Sequence, residues 1–79
     1  MRHHVAHATR GRLRVRYPVS WLRRRRSTVE ARLRALTGVR AVLSSTVTGS
    51  IIIDYDPFAL AEQRLIAELG KPFRAPSAL

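Results

Sequence analysis

A chain of 79 residues has room for one small domain, which buries only about 60% of the surface its unfolded form exposes, so an enclosed active site is not expected. It contains no cysteine, which excludes disulfides, thiolate metal sites and thiol catalysis together. The net charge of +10 is unevenly spread: residues 1–40 hold 12 arginines and one glutamate, residues 41–79 three basic residues and four acids. The first half is thus the half suited to polyanions. Lys71 is the single lysine, and guanidinium groups favour bidentate phosphate or carboxylate contacts. No apolar run approaches the ~20 residues that span a bilayer, and the arginine-rich start lacks the pattern of a signal peptide. A cytoplasmic location, free or peripheral to a membrane or compartment, is expected.

From Gly11 to Tyr17 the odd positions Leu13, Val15 and Tyr17 are apolar and Arg12, Arg14 and Arg16 alternate with them. Period-two alternation predicts a half-buried strand. Continued backwards, the register predicts one long strand, with Val5 and His7 on the apolar side, His4, Ala6 and Ala8 outward, and Gly11 at a bulge or bend. Pro18 ends the strand. The next helix has two candidate starts: Ser20 as cap before Trp21, or Ser27 as cap with Glu30 completing a capping box. Val29, Leu33 and Leu36 share one face and Gly38 supplies a stop, so the helix is secure over Thr28 to Leu36. Extension over Trp21 to Arg26 would set four arginines against the macrodipole and stays open.

Val39 to Thr46 and Ile51 to Tyr55 are runs of strand formers around the turn signal Thr48-Gly49-Ser50, which predicts a hairpin. Asp56-Pro57 then supplies a cap followed by proline at the first helical position. Phe58, Ala61, Leu65 and Leu69 line one face of a second helix ending at Gly70. The remainder, residues 71–79, carries two prolines and makes at most a tail or short edge strand. Residues 1–70 therefore form the domain, with an α+β ferredoxin-like βαββα(β) order: an antiparallel sheet, two helices on one face, and a final strand short or missing. First and third strands become neighbours in the middle of the sheet, where Asp54 can face Arg12 or Arg14. If the last strand is absent, the outer edge of the first strand is free to recruit another strand, by self-association or β-augmentation.

His7-x-x-x-Gly11-Arg12-x-Arg14, then Leu36-Thr37-Gly38-Val39, then Thr48-Gly49-Ser50-Ile51-Ile52-Ile53-Asp54-Tyr55-Asp56-Pro57 together resemble a heavy-metal-associated domain. The narrower likeness is to cysteine-free variants at the N-termini of some bacterial metal-transporting P-type ATPases, and to short free-standing proteins near their genes. It covers residues 3 to about 70. The better-known members hold soft metals with a Cys-x-x-Cys pair between first strand and first helix, where this chain has Pro18, Val19 and Ser20. A copper(I) or zinc chaperone of that type is excluded. The resemblance implies a non-enzymatic docking or regulatory module of metal handling, with iron as the metal because some cysteine-free relatives accompany transporters of iron-storing compartments. Its partner would be a metal-transporting ATPase or a compartment protein.

His3, His4 and His7 are the metal-ligand candidates. His3 and His7 on one strand would lie roughly 13 Å apart, too far for one metal with bonds near ~2 Å, so a second chain or Asp54 or Asp56 would have to contribute. Alternatively, a free amine at Met1 with His3 in third position can wrap copper(II) or nickel(II) in square-planar geometry. The polyanion candidates are Arg10, Arg12, Arg14 and Arg16 with Arg23, Arg24, Arg25 and Arg26. They support a second reading, a module for nucleic acid or anionic membrane surfaces that uses the basic sheet face. The RNA-recognition module shares this topology, but arginines stand where its stacking aromatics would be. Glu30, Glu62 and Glu68 are helix-surface residues by spacing, and no glycine-rich phosphate loop is present, so catalysis is not expected. Trp21 is expected to pack against the sheet, with a partner contact as the alternative.

Overall fold

The computed structural model describes residues 4–71, with side chains from residue 8 onward. Its elements are β1 (His4–Thr9), β2 (Arg12–Arg16), α1 (Val19–Arg34), β3 (Val39–Ser45), β4 (Ser50–Tyr55) and α2 (Glu62–Leu69). They build an α+β, ferredoxin-like sandwich: one antiparallel sheet in the order β1-β2-β4-β3, with both helices on one face. The two strands expected in the middle of the sheet, β2 and β4, are neighbours there. Their register sets Arg12 opposite Asp54, and Arg12 Nε lies 3.1 Å from the carboxylate.

The expected single long first strand is instead a hairpin. The chain reverses at Arg10-Gly11, with Thr9 opposite Arg12 and Ala8 opposite Leu13. Gly11 sits at φ 84°, the sign a type II turn demands of its second central residue. Its carbonyl accepts the Tyr55 amide at 2.9 Å, which ties the turn to β4. As a result β1 lies along the edge of β2 that was expected to be free. In the βαββαβ pattern that slot belongs to the last strand, so recruitment of another strand onto β2 is blocked by the chain's own N-terminal strand. The short final strand considered for residues 71–79 lies, beyond Lys71, outside the described residues.

Period two carries through to the core. Leu13 and Val15 of β2, Ile51, Ile53 and Tyr55 of β4 and Val42 of β3 point to the helices and are buried. Leu22, Val29 and Leu33 of α1 and Leu65 and Leu69 of α2 close over them. α1 begins at Val19, with Pro18 in the cap position, so neither Ser20 nor Ser27 caps it, and it ends at Arg34, short of Leu36. Trp21 to Arg26 is therefore helical despite the four arginines. A wrongly signed charge at a helix start costs roughly 0.3–1 kcal/mol, whereas full burial of a large apolar side chain gains about 1.5–3 kcal/mol. Leu22 is completely buried, Trp21 nearly so, and the Trp21 ring stacks on Tyr17 at 4.5 Å.

The second helix also starts later than its sequence suggests. Asp56 Oδ1 accepts the Phe58 amide at 3.0 Å, and its carbonyl accepts the Ala59 and Leu60 amides. Asp56-Pro57 thus opens a compact turn, and α2 begins only at Glu62. In consequence Leu60 enters the core in place of Phe58, which is 86% exposed.

Candidate functional site

The open face of the sheet consists of three cross-strand rows: Arg12, Asp54 and Ala41; Arg14, Ile52 and Leu43; Arg16, Ser50 and Ser45. Alternation puts the arginines here because Leu13 and Val15 between them are wholly buried. Arg12 is neutralised by Asp54. Arg14 lies along the face with Nη2 3.5 Å from the Ser50 hydroxyl, and its Nε is buried without a hydrogen-bond partner. Arg16 is exposed. Leu43, at 62% exposed, adds an apolar element to the middle row.

The helix arginines do not form one patch with these. Arg25 stacks over Trp21, its guanidinium carbon 5.4 Å from the ring centroid. Arg26 donates to Ser44 Oγ at 2.8 Å and pairs with Glu30 at 3.3 Å. Arg34 pairs with the same carboxylate at 3.4 Å and donates to the Val42 carbonyl at 3.2 Å. Spacing of four residues puts Arg26, Glu30 and Arg34 in line on α1, and together they run along the outer strand β3. Arg10 sits at the other end of β2, over the Phe58 ring at 4.8 Å. Only Arg23 and Arg24 of the helix cluster project as exposed charges without an ion pair among the described residues.

Glu30 is the most strongly held acid. The Ser44 hydroxyl donates to its Oε2 and holds its carboxyl below the usual range, with Arg26 and Arg34 helping against partial burial. A carboxyl depressed in the folded state adds stability above its unfolded pKa and loses that contribution as pH falls through the folded value. Urea unfolding should therefore show wild type more stable than Glu30→Gln at pH 7, with the gap closing as pH falls below the ordinary glutamate value of about 4.3. A gap that persists once the carboxyl is protonated would mean that packing, not charge, holds Glu30.

Of the metal-ligand candidates, His3 lies outside the described residues. A bulge between Val5 and His7 shifts the register of β1, so His4 is opposite Arg16 and His7 opposite Arg14. His7 is thus not in the rows of Leu13 and Val15, where unbroken alternation would put it. The two acids considered as further ligands are engaged elsewhere: Asp54 with Arg12 and Asp56 with Arg40 at 3.8 Å. Among the residues with described side chains, no three His, Cys, Asp or Glu come together as a metal site.

The junction of β2 and α1 is closed by packing. The Tyr17 amide donates to the Gly49 carbonyl at 2.9 Å, its ring lies on Trp21, and its hydroxyl donates to the Leu69 carbonyl at 3.4 Å. Burial pushes the Tyr17 phenol up, well above its ordinary value, so it stays neutral. Tyr17, Pro18, Val19 and Ser20 offer no soft ligand and do not fit a thiolate copper(I) or zinc site.

Sequence reasoning missed the Arg26-Glu30-Arg34 line, although its four-residue spacing is visible in the sequence, and missed the exposure of Val47 and Phe58, both 86%. No described helix is long and apolar enough to cross a membrane. No curated protein and no solved structure gave a match. The family model described as heavy metal associated domain 2 matches residues 3–76, nearly the whole chain. With the ferredoxin-like sheet and helices already in place, the chain belongs to the heavy metal associated domain 2 family.

Proposed function

We propose that the chain is a non-enzymatic accessory module of metal homeostasis that acts by docking on a protein partner rather than by carrying metal on thiolates. The observation that carries this reading is the β2–α1 junction. Where better-known heavy-metal-associated domains hold a soft ion, this chain has a proline and a packed Tyr17–Trp21 pair. The open sheet face carries rows of arginine around Leu43 and Ile52 that suit an acidic partner with some apolar surface. The partner class that fits the family is a metal-transporting P-type ATPase, with iron as the transported ion, and a cytoplasmic setting follows from such a partner.

Calorimetric titration of the chain into the cytosolic domains of a metal-transporting ATPase from the same genome tests this. Micromolar binding is expected, unchanged by a metal chelator and weakened at least tenfold when Arg12, Arg14 and Arg16 become Ser. Rim charges mainly set on-rate and salt sensitivity, and three together reach that range. Absence of binding, or binding indifferent to the triple substitution, would overturn the docking role. A parallel titration with iron(II), copper(II) and nickel(II) tests direct metal binding by His3, His4 and His7.

A further inference from the structure

All five acids of the chain lie between residues 30 and 68, so no carboxylate side chain falls outside the described residues. Four of them are held: Glu30 by Arg26 and Arg34, Asp54 by Arg12, Asp56 by Arg40, and Glu68 by Arg32 and Lys71. The fifth, Glu62, opens α2, which packs against the other side of the sheet. On the open face one arginine of β2 is therefore neutralised and two are not. Arg12 has Asp54, whereas Arg14 and Arg16 make no ion pair among the described residues.

The two differ in how far water compensates them. Arg16 is exposed and keeps its hydration. Arg14 is partly buried, with an Nε that is buried and has no acceptor. The hydrogen bond from its Nη2 to the Ser50 hydroxyl is 3.5 Å long, and that hydroxyl also accepts from Thr48 Oγ1 at 2.9 Å. A guanidinium that has lost water without gaining a strong acceptor is stabilised by a carboxylate brought to it, because charge-assisted bonds are about twice as strong as neutral ones. The row of Arg14 continues through Ile52 to Leu43, which is 62% exposed. The centre of the face thus joins an unsatisfied cation to an aliphatic patch.

The same rows restrict the shape of an occupant. The backbones of β2 and β4 are paired on both sides within the sheet, so an extended segment laid on the face would bury its own amides and carbonyls without partners. A helix satisfies its backbone internally. Arg14 and Arg16, two positions apart on one strand, stand about 6.8 Å apart, and helix residues four apart rise about 6 Å. Carboxylates at i and i+4 therefore meet both arginines. A helix about 10 Å across, lying along β2 and β4, also covers Ile52 and reaches Leu43 two strands away. Nucleic acid fits less well, because none of the described side chains in these rows is an aromatic platform for bases and the Asp54 carboxylate beside Arg12 opposes phosphate.

We propose that the open sheet face seats an acidic amphipathic helix of a partner protein, with carboxylates one turn apart on Arg14 and Arg16 and an aliphatic side chain over Ile52 and Leu43. This rests on the docking reading of the same face, but not on the identity of the partner. Two alanine- and glutamine-based peptides of about 20 residues, long enough to be helical in water, test it. One carries glutamates at i and i+4 with leucine at i+3; the other has the same composition with the glutamates at i and i+2, which do not share a face. Each is titrated into the nitrogen-15-labelled full chain at low salt. Saturable binding of the first is expected, with amide shifts centred on Arg14, Arg16, Ile52 and Leu43, and at least tenfold weaker binding of the second. Arg14→Ser should weaken the first about tenfold and Arg16→Ser about threefold. Arg12→Ser combined with Asp54→Ser, which removes a neutral pair, should change it less than twofold. Thermal melts check that the variants fold, and the comparison of the two peptides needs no variant. Absence of saturable binding, equal affinity for both peptides, equal losses from Arg14→Ser and the neutral-pair variant, or tighter binding to a 20-nucleotide RNA or DNA at the same salt would each overturn the proposal. If the ATPase domains bind through the arginine face and neither peptide does, the helix fails and docking stands. If the first peptide binds and the ATPase domains do not, the helix stands and that partner fails.

Discussion

Replacing Gly49 with alanine is expected to destabilise the domain by about 3–5 kcal/mol, from the left-handed backbone cost and the loss of a buried hydrogen bond. Gly49 has φ 75°, where an L side chain is strained whatever the space. The space is also absent, because the new Cβ would be driven into the Tyr17 carbonyl oxygen. That atom belongs to the backbone and is flanked by the Tyr17 amide that donates to Gly49, so the turn must open to relieve the clash. Opening it strands the Tyr17 amide and loosens the Tyr17–Trp21 stack at the start of α1. A domain of this length has a total stability of about 4–12 kcal/mol. The urea midpoint should therefore collapse or the chain should populate the unfolded state in water. A midpoint shift equivalent to less than 1 kcal/mol would show that the turn can rearrange without using Tyr17.

The second large effect separates residues of one type. Ile53→Ala is expected to cost about 3 kcal/mol and Ile52→Ala about 1 kcal/mol or less, in line with large-to-small substitutions inside and outside a core. Ile53 is fully buried, between Leu13 and Val42 in the cross-strand register. Ile52 lies on the open face between Arg14 and Leu43 and keeps part of its surface in water. Chemical denaturation of both variants measures the difference. Equal losses would mean that the open face is covered in solution, which self-association would then have to explain.

Alternation made the arginine face legible in advance. Leu13 and Val15 between Arg12, Arg14 and Arg16 forced the core side and the open side of β2, and Asp54 facing Arg12 or Arg14 followed once β2 and β4 were central neighbours, the register then choosing Arg12. The hairpin at Arg10-Gly11 was harder. Two-residue turns are recognised by Asn-Gly or Asp-Gly, and Arg-Gly inside a continuing alternation looks like a bulge. The polar pair Thr9-Arg10 before Gly11 was the available signal that the strand had ended. At Asp56-Pro57 a local rule for helix starts applied equally well to a turn, and the choice fell to whichever of Phe58 and Leu60 could reach the core.

The sequence by itself determined the class of fold, the side of β2 that carries charge, the exclusion of thiolate chemistry and the excess of arginine in the first half. Those follow from period, composition and residue type, which act locally. Only the tertiary structure decided that Trp21 to Arg26 is helical, because burial of Trp21 and Leu22 in a core built by distant strands outweighs the helix dipole. It likewise decided which arginines find acids. Glu30 holds Arg26 and Arg34 and Asp54 holds Arg12, while Arg16, Arg23 and Arg24 make no ion pair among the described residues. Charge in a sequence is a sum, but pairing depends on which side chains the fold brings within a few ångströms, and that distance is set by the packing of the whole domain.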